Sequence, residues 1–300
     1  MMYQGIDTAA RITAAQAAKL AANGVSFVGR YLVPSGWKAL TAAEIKDLRG
    51  AGLALLLCWE LGAEAMKGGA VQGAQDGARA RQLADQFNVP SGTTIFFAAD
   101  YNVPQADLIQ CEQYILAAQA ALGKYTAGIY GGQKVCEFLA DRGATKRVWQ
   151  CVAWSNTFIG AANVRQYAWQ GAQESRDIAA KCGIGAVDMN ACEDMKRAGL
   201  WLPPEVKPWY ADTVEWAKKE GIVTEARPTD PATRAEVMQM IRNYNRRFEA
   251  EDTKNESGLL NYRGDMREGL EKVCRCRLDS CIAHILSMRN QRHWHNRPDY

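Results

Sequence analysis

No stretch of this 300-residue chain is long and apolar enough to span a bilayer, so membrane insertion is not expected. The opening residues, MMYQGIDTAARITAAQ, lack a basic flank followed by an apolar stretch, so no secretory signal is expected there and synthesis in the cytoplasm is. A concentrated basic stripe is also missing. The 36 Lys and Arg exceed the 33 Asp and Glu by only three, too mild a balance to argue for nucleic acid. That excess lies after residue 253, where nine Lys and Arg meet six Asp and Glu. No glycine-rich loop is followed by Lys-Ser or Lys-Thr, which leaves nucleotide chemistry unsupported. Nine Cys is an odd count, and Cys58, Cys111, Cys136, Cys151, Cys182 and Cys192 are scattered singly. They read as small buried hydrophobes and not as a disulfide framework.

What is present is an alternation. Eight apolar runs, over residues 3–7, 26–32, 54–60, 94–100, 127–131, 147–154, 164–170 and 186–190, read as strands. Alanine-rich helical patterns lie between them, over 13–22, 41–50, 71–87, 106–122 and 133–141, and Thr41-Ala-Ala-Glu44 reads as a capping box. Strand alternating with helix implies parallel pairing with the helices outside, and eight repeats match a closed (β/α)8 TIM-like barrel, an α/β fold. Between Trp154 and Val164 a crossover helix does not fit, so strands six and seven are expected to be joined by a loop or to lie antiparallel. After Pro203 and Pro204 the pattern changes to a helical hairpin. The expected domains are therefore a barrel over 1–200, a small helical hairpin over 205–248, and a linker with a partly ordered tail over 249–300.

Four of the runs end in an acid: Asp7, Glu60, Asp100 and Asp188. Active sites of such barrels are built at the carboxyl ends of the strands, so these four are the catalytic candidates. Closure would set Asp7 facing Asp188 and Glu60 beside Asp100. Like charges at that range keep one carboxyl protonated while another stays ionised, the division of labour that glycoside hydrolysis needs. Trp59, Tyr101, Tyr130, Trp154 and Trp169, with Gln150 and Gln166, supply rings and amides for the apolar faces and hydroxyl rims of a sugar. Arg30 is either a substrate clamp or half of a structural ion pair. Taken one at a time, Asp7 could start a turn with Thr8, Asp100 could form an Asx-turn before Pro104, and Asp188 could cap a helix beginning near Ala191. Cys274, Cys276, Cys281, His284, His293 and His295 are zinc-type residues whose spacing fits no common finger, so no metal and no cofactor is expected.

The motifs GIDTAA, FVGRYL, LTAAEIKDLRGAGL to CWE, IFFAAD, GIYGG, VWQCVAWS, RQYAWQ and VDMN in succession resemble a glycoside-hydrolase-like barrel family. That family is catalogued as a domain of unknown function and is related in fold to the family 25 lysozymes of phages and fungi. The resemblance covers residues 3–195. It implies a barrel acting at bacterial cell-wall glycan, with Asp7, Asp100 and Asp188 matching acids of the lysozyme-like pattern and Asp100 in the general-acid position. Family 25 lysozymes carry Asp-x-Glu on the fourth strand. Here that stretch is Ala98-Ala99-Asp100, and Glu60 is the candidate to supply the missing carboxylate. Residues 209–244 resemble a single surface-layer-homology repeat, which implies wall attachment or homodimerisation. Together the resemblances imply a phage or prophage endolysin, a lysozyme-like peptidoglycan hydrolase released to the wall. The alternative expectation is a non-catalytic glycan-binding protein using the same cleft.

Overall fold

In the computed structural model the chain divides into two units, Met1–Glu205 and Val206–Tyr300. The structure describes residues 2–204 and residue 219, and the barrel lies in the first unit. The expected hairpin over 205–248, and the linker and tail over 249–300 with their Cys and His residues, lie outside the described residues.

Eight strands close into a barrel in chain order: β1 (Tyr3–Asp7), β2 (Val25–Tyr31), β3 (Ala54–Trp59), β4 (Thr94–Ala98), β5 (Thr126–Gly131), β6 (Val148–Cys151), β7 (Val164–Ala168) and β8 (Asp188–Cys192). The helices are α1 (Ala14–Ala22), α2 (Ala42–Gly50), α3 (Gly69–Gln86), α4 (Leu108–Leu122), α5 (Gln133–Asp141), α6 (Gln173–Cys182) and α7 (Met195–Ala198). This is the expected TIM-like α/β barrel. β6 and β7 are joined by a loop, with no helix between them, and they pair parallel.

Strand–helix alternation predicts parallel pairing for the remaining strands, and β8 departs from that: it runs antiparallel to both β1 and β7. The cause lies in the chain before it. From Gly183, in the left-handed region with φ of 68°, the backbone is tied to α1 and to the loop that follows β1. Gln16 Nε2 donates to the Gly183 carbonyl at 2.5 Å, and the Thr8 hydroxyl donates to the Ala186 carbonyl at 2.7 Å. The chain therefore enters β8 from the end where the other strands leave. Asp188 is the first residue of its strand and not the end of a run.

Strand alternation sorts the core into two layers. Phe27, Ala54, Leu56, Phe96, Ala98, Trp149, Val164 and Cys192 fill the barrel, while Ile6, Val28, Leu55, Leu57, Trp59, Ile95, Phe97 and Ile129 face the helices. Inward glycines make room for the aromatics: a Cβ on Gly5 would lie 2.3 Å from the Phe27 ring. α3 and α4 pack backbone to backbone, because a Cβ on Gly73 or Gly77 would meet the Tyr114 or Ala118 carbonyl oxygen at 2.2 and 2.6 Å. One end of the barrel is sealed. Thr94 N–H donates to the Gly199 carbonyl, Leu55 and Trp201 exchange backbone hydrogen bonds, and Ala198 and Leu200 join the inner core. The carboxyl ends of β1 to β7 form the opposite end.

Thr13 and Gln16 make a full capping box on α1. At α2 only half of the expected box exists. The Thr41 side chain accepts from Glu44 N–H, but the Glu44 carboxylate is committed elsewhere.

Candidate active site

Asp7 closes β1 and Asp188 opens β8, and the antiparallel register sets them directly opposite. Glu60 follows β3 by one residue and Asp100 follows β4 by two, on the same inward alternation as Cys58 and Ala98. The four acids thus share the open end. Asp7 Oδ2 accepts from Gln166 Nε2 at 2.9 Å and from Asn190 Nδ2 at 2.6 Å. The same Gln166 amide nitrogen donates to Asp188 Oδ2 at 3.0 Å.

Both amides are held in orientation from behind. Trp149 Nε1 donates to Asn190 Oδ1 at 2.8 Å, and an indole N–H can only donate, so Asn190 must turn its NH2 toward Asp7. The Tyr130 hydroxyl donates to Gln166 Oε1 at 3.0 Å. Gly29 leaves the space in which Asp7 sits, since a Cβ there would lie 2.6 Å from Asp7 Cβ.

Burial, reinforced by the Asp188 charge, raises the Asp7 carboxyl to about 7 against the opposing hydrogen bonds from Asn190 and Gln166. Burial and then Glu60 raise Asp100, and Lys38 partly offsets them. Burial also raises Asp188, opposed by the Gln170 backbone N–H and reinforced by Asp100. Glu60 Oε1 is paired with Lys38 Nζ at 3.0 Å, and that ammonium lies 4.4 Å from the centre of the Tyr31 ring. Burial likewise pushes up the Tyr31 and Tyr130 phenols and the Cys58 thiol, which stay neutral.

Of the expected substrate-binding residues, Tyr130 and Gln166 belong to this constellation, and Trp169 stands 61% exposed just beyond β7. Others face away. Arg30 alternates outward and is fully buried, with Nε and Nη2 donating to the Glu44 carboxylate at 2.7 and 3.2 Å and Nη1 to the Thr8 carbonyl at 2.6 Å. It is the structural ion pair and not a clamp. Trp59 also alternates outward and packs on Phe97. Gln150 is buried outside the barrel, its amide holding the β6–β7 loop through Ser155, Thr157 and Ile159. Tyr101 packs on the outer core and donates to Asp107 at 3.2 Å. Trp154 lies half-buried in the β6–β7 loop, its carbonyl accepting from Gln133 N–H. Asp188 caps no helix, because α7 starts at Met195 under Asp194.

Sequence reasoning missed Asn190, Trp149, Tyr31 and Lys38, and also Trp37, which is 76% exposed in the loop after β2. The signal for two of them was available. Asn190 has the same parity as Asp188, and Trp149 the same parity as Cys151. Among the described residues no group of His, Cys, Asp and Glu is arranged to hold a metal ion, and no helix is long and apolar enough to cross a membrane.

A family model described as Rv2525c-like, glycoside hydrolase-like domain matches residues 18–193. The Bacillus subtilis (strain 168) protein YbfG is 33% identical over 158 residues, which cover 47% of this chain and 22% of YbfG, so the match spans about a fifth of that relative. The Mycobacterium tuberculosis Tat-secreted protein Rv2525c, solved in complex with L-tartrate, superposes with a TM-score of 0.57 at 22% identity, covering 66% of this chain and 98% of that one. A second crystal form of Rv2525c, in complex with HEPES, gives a TM-score of 0.56 at 23% identity, with the same coverage.

Proposed function

The chain belongs to the Rv2525c-like, glycoside hydrolase-like family, and from that premise we propose that its barrel hydrolyses a glycosidic bond in bacterial cell-wall glycan. The observation that carries this is the convergence of Asp7, Glu60, Asp100 and Asp188 at one open end, with three of the carboxyls raised by burial. Asp100 and Glu60 are only partly buried and can touch a glycan, whereas Asp7 lies beneath them at 8% exposure. Asp100, whose carboxyl is raised by burial and then by Glu60, is the general acid. Glu60, ion-paired with Lys38, is the assisting carboxylate, and Asp7 below, with the partly exposed Asp188 opposite it, shapes the field. Trp37 and Trp169, both exposed on loops at this end, supply the apolar faces on which sugar rings lie.

One observation favours a second reading. The fourth strand offers a single carboxylate, since Ala98 faces the barrel interior where an acid would complete a lysozyme-like pair. In that reading the mouth binds wall glycan without cutting it. Purified protein on wall suspensions separates the two. New reducing ends and falling turbidity, both abolished by Asp100→Asn, support hydrolysis, and retention on walls without new reducing ends supports binding. An endolysin role rests on the surface-layer-like stretch over 209–244. It is tested by whether the full chain, added from outside, lyses Gram-positive cells and loses that activity when 209–244 is deleted.

A further inference from the structure

Asp7 Oδ2 receives two N–H donors, from Gln166 and from Asn190, at 2.9 and 2.6 Å. Those donors occupy the lone pairs of that oxygen, and a carboxyl oxygen so engaged has no place for a proton of its own. Neither donor can be exchanged for an acceptor by rotating the amide, because Trp149 and Tyr130 hold the amide oxygens from behind. Asp188, opposite Asp7, receives the second Gln166 N–H and the Gln170 backbone N–H, and is less buried. Both favour its ionised form.

We propose that Gln166 and Asn190 are positioning residues that saturate Asp7 Oδ2, so that the proton Asp7 carries resides on Oδ1 and leaves from that atom. The groups facing Asp7 are Asp188 on β8, Asp100 beyond β4, Tyr31 on β2, Cys58 on β3 with Glu60 after it, and Tyr130 on β5. The phenols and the thiol are neutral and Lys38 pairs Glu60, so burial first, and then the Asp188 charge, hold the proton in place. The biological use of this arrangement rests on the glycan reading above, but the arrangement itself is tested without turnover.

The test is a nuclear magnetic resonance titration of the full chain carrying 13C-carboxyl aspartate and 15N side-chain amides, from about pH 4 to about pH 9. The Gln166 and Asn190 side-chain amide signals should move together with the Asp7 carboxyl, with one midpoint near 7. Gln166→Met and Asn190→Leu should each move that midpoint upward by about one unit, since each removes a donor that favours the ionised form. Tyr130→Phe, which frees the Gln166 amide to turn, should move it in the same direction. Amide signals that stay flat through the Asp7 titration, or midpoints unmoved in folded Gln166→Met, would overturn the proposal. If the variants fail to fold, the unsubstituted chain's amide signals decide alone. Glycan retention without cleavage would sink the hydrolase reading and leave this one standing, while cleavage with flat amide signals would do the reverse.

Discussion

Asp7 and Asp188 face each other across two antiparallel strands and share one side-chain amide, that of Gln166. Burial, and then the charge of Asp188, hold the deeper carboxyl, Asp7, near 7. The folded state therefore binds the Asp7 proton more tightly than the unfolded chain, whose carboxyl titrates near 3.8. Its stabilising contribution is complete below about pH 4, falls as the pH rises to about 7, and is constant above that. Asp7→Asn should remove this slope. Scanning calorimetry should find the variant gaining on the native chain between those pH values, and a gap that does not change with pH would contradict it.

Lys38 couples Glu60 and Asp100. Because it lowers Asp100 while pairing Glu60, Lys38→Met should raise Asp100 further. In a reducing-end assay on walls, the basic limb of the pH profile should then move to higher pH, as expected when the proton of the general acid sets that limb.

Gly29 is where the site is most sensitive to one added methyl. Its Cβ would lie 2.6 Å from Asp7 Cβ and 3.4 Å from the Trp149 ring, so Gly29→Ala must displace the acid or part β1 from β2. Misplacement on this scale costs about a hundredfold in rate, and overpacking about 1–3 kcal/mol in stability. Kinetics and urea unfolding on the same preparation measure both.

Arg30 and Glu44 form a buried pair that also holds the Thr8 carbonyl and the Ile12 N–H, and so the loop leading away from Asp7. Arg30→Met alone should cost about 3–5 kcal/mol, because it strands a buried carboxylate. Arg30→Met combined with Glu44→Leu should recover part of that loss. A double variant no more stable than the single one would show that the loop contacts, and not the stranded charge, dominate.

Trp37 and Trp169 contribute little burial, at 76% and 61% exposure. Replacing either with Ala should leave unfolding free energy within about 0.5 kcal/mol of the native value while weakening retention on wall glycan several-fold. Pull-down isotherms against purified walls read the second effect.

The barrel was legible because its evidence is repetitive: β1, α5 and the Asp7–Asp188 pairing fall where periodicity and closure put them. The direction of β8 was not. A five-residue strand reads the same both ways, and its reversal is set by hydrogen bonds from Thr8 and Gln16, more than 160 positions away in the chain. The acids were legible as candidates because each was expected at the end of an apolar run, although Asp188 opens its strand and does not end it. Trp59 and Gln150, expected at the mouth, face the helices, as does Arg30, whose ion-pair alternative holds, because nearness to a strand end does not fix which side a residue faces. One step along β2, β3 or β6 turns a side chain from the cavity to the helices. Lys38 and Trp37 sit in a loop whose path no local pattern specifies.

The reversal of β8 gives the mouth two kinds of wall. Asp7, Glu60 and Asp100 are delivered by strands rising from the sealed end, so moving any of them means shifting a ladder that the whole core enforces. Asp188 is delivered from above, on a short segment that descends into the barrel past Ala186. Lengthening or shortening residues 183–187 would re-aim that one carboxylate while the pairing below it stays in register. The width of the mouth can therefore be adjusted at this edge independently of the barrel that supports it.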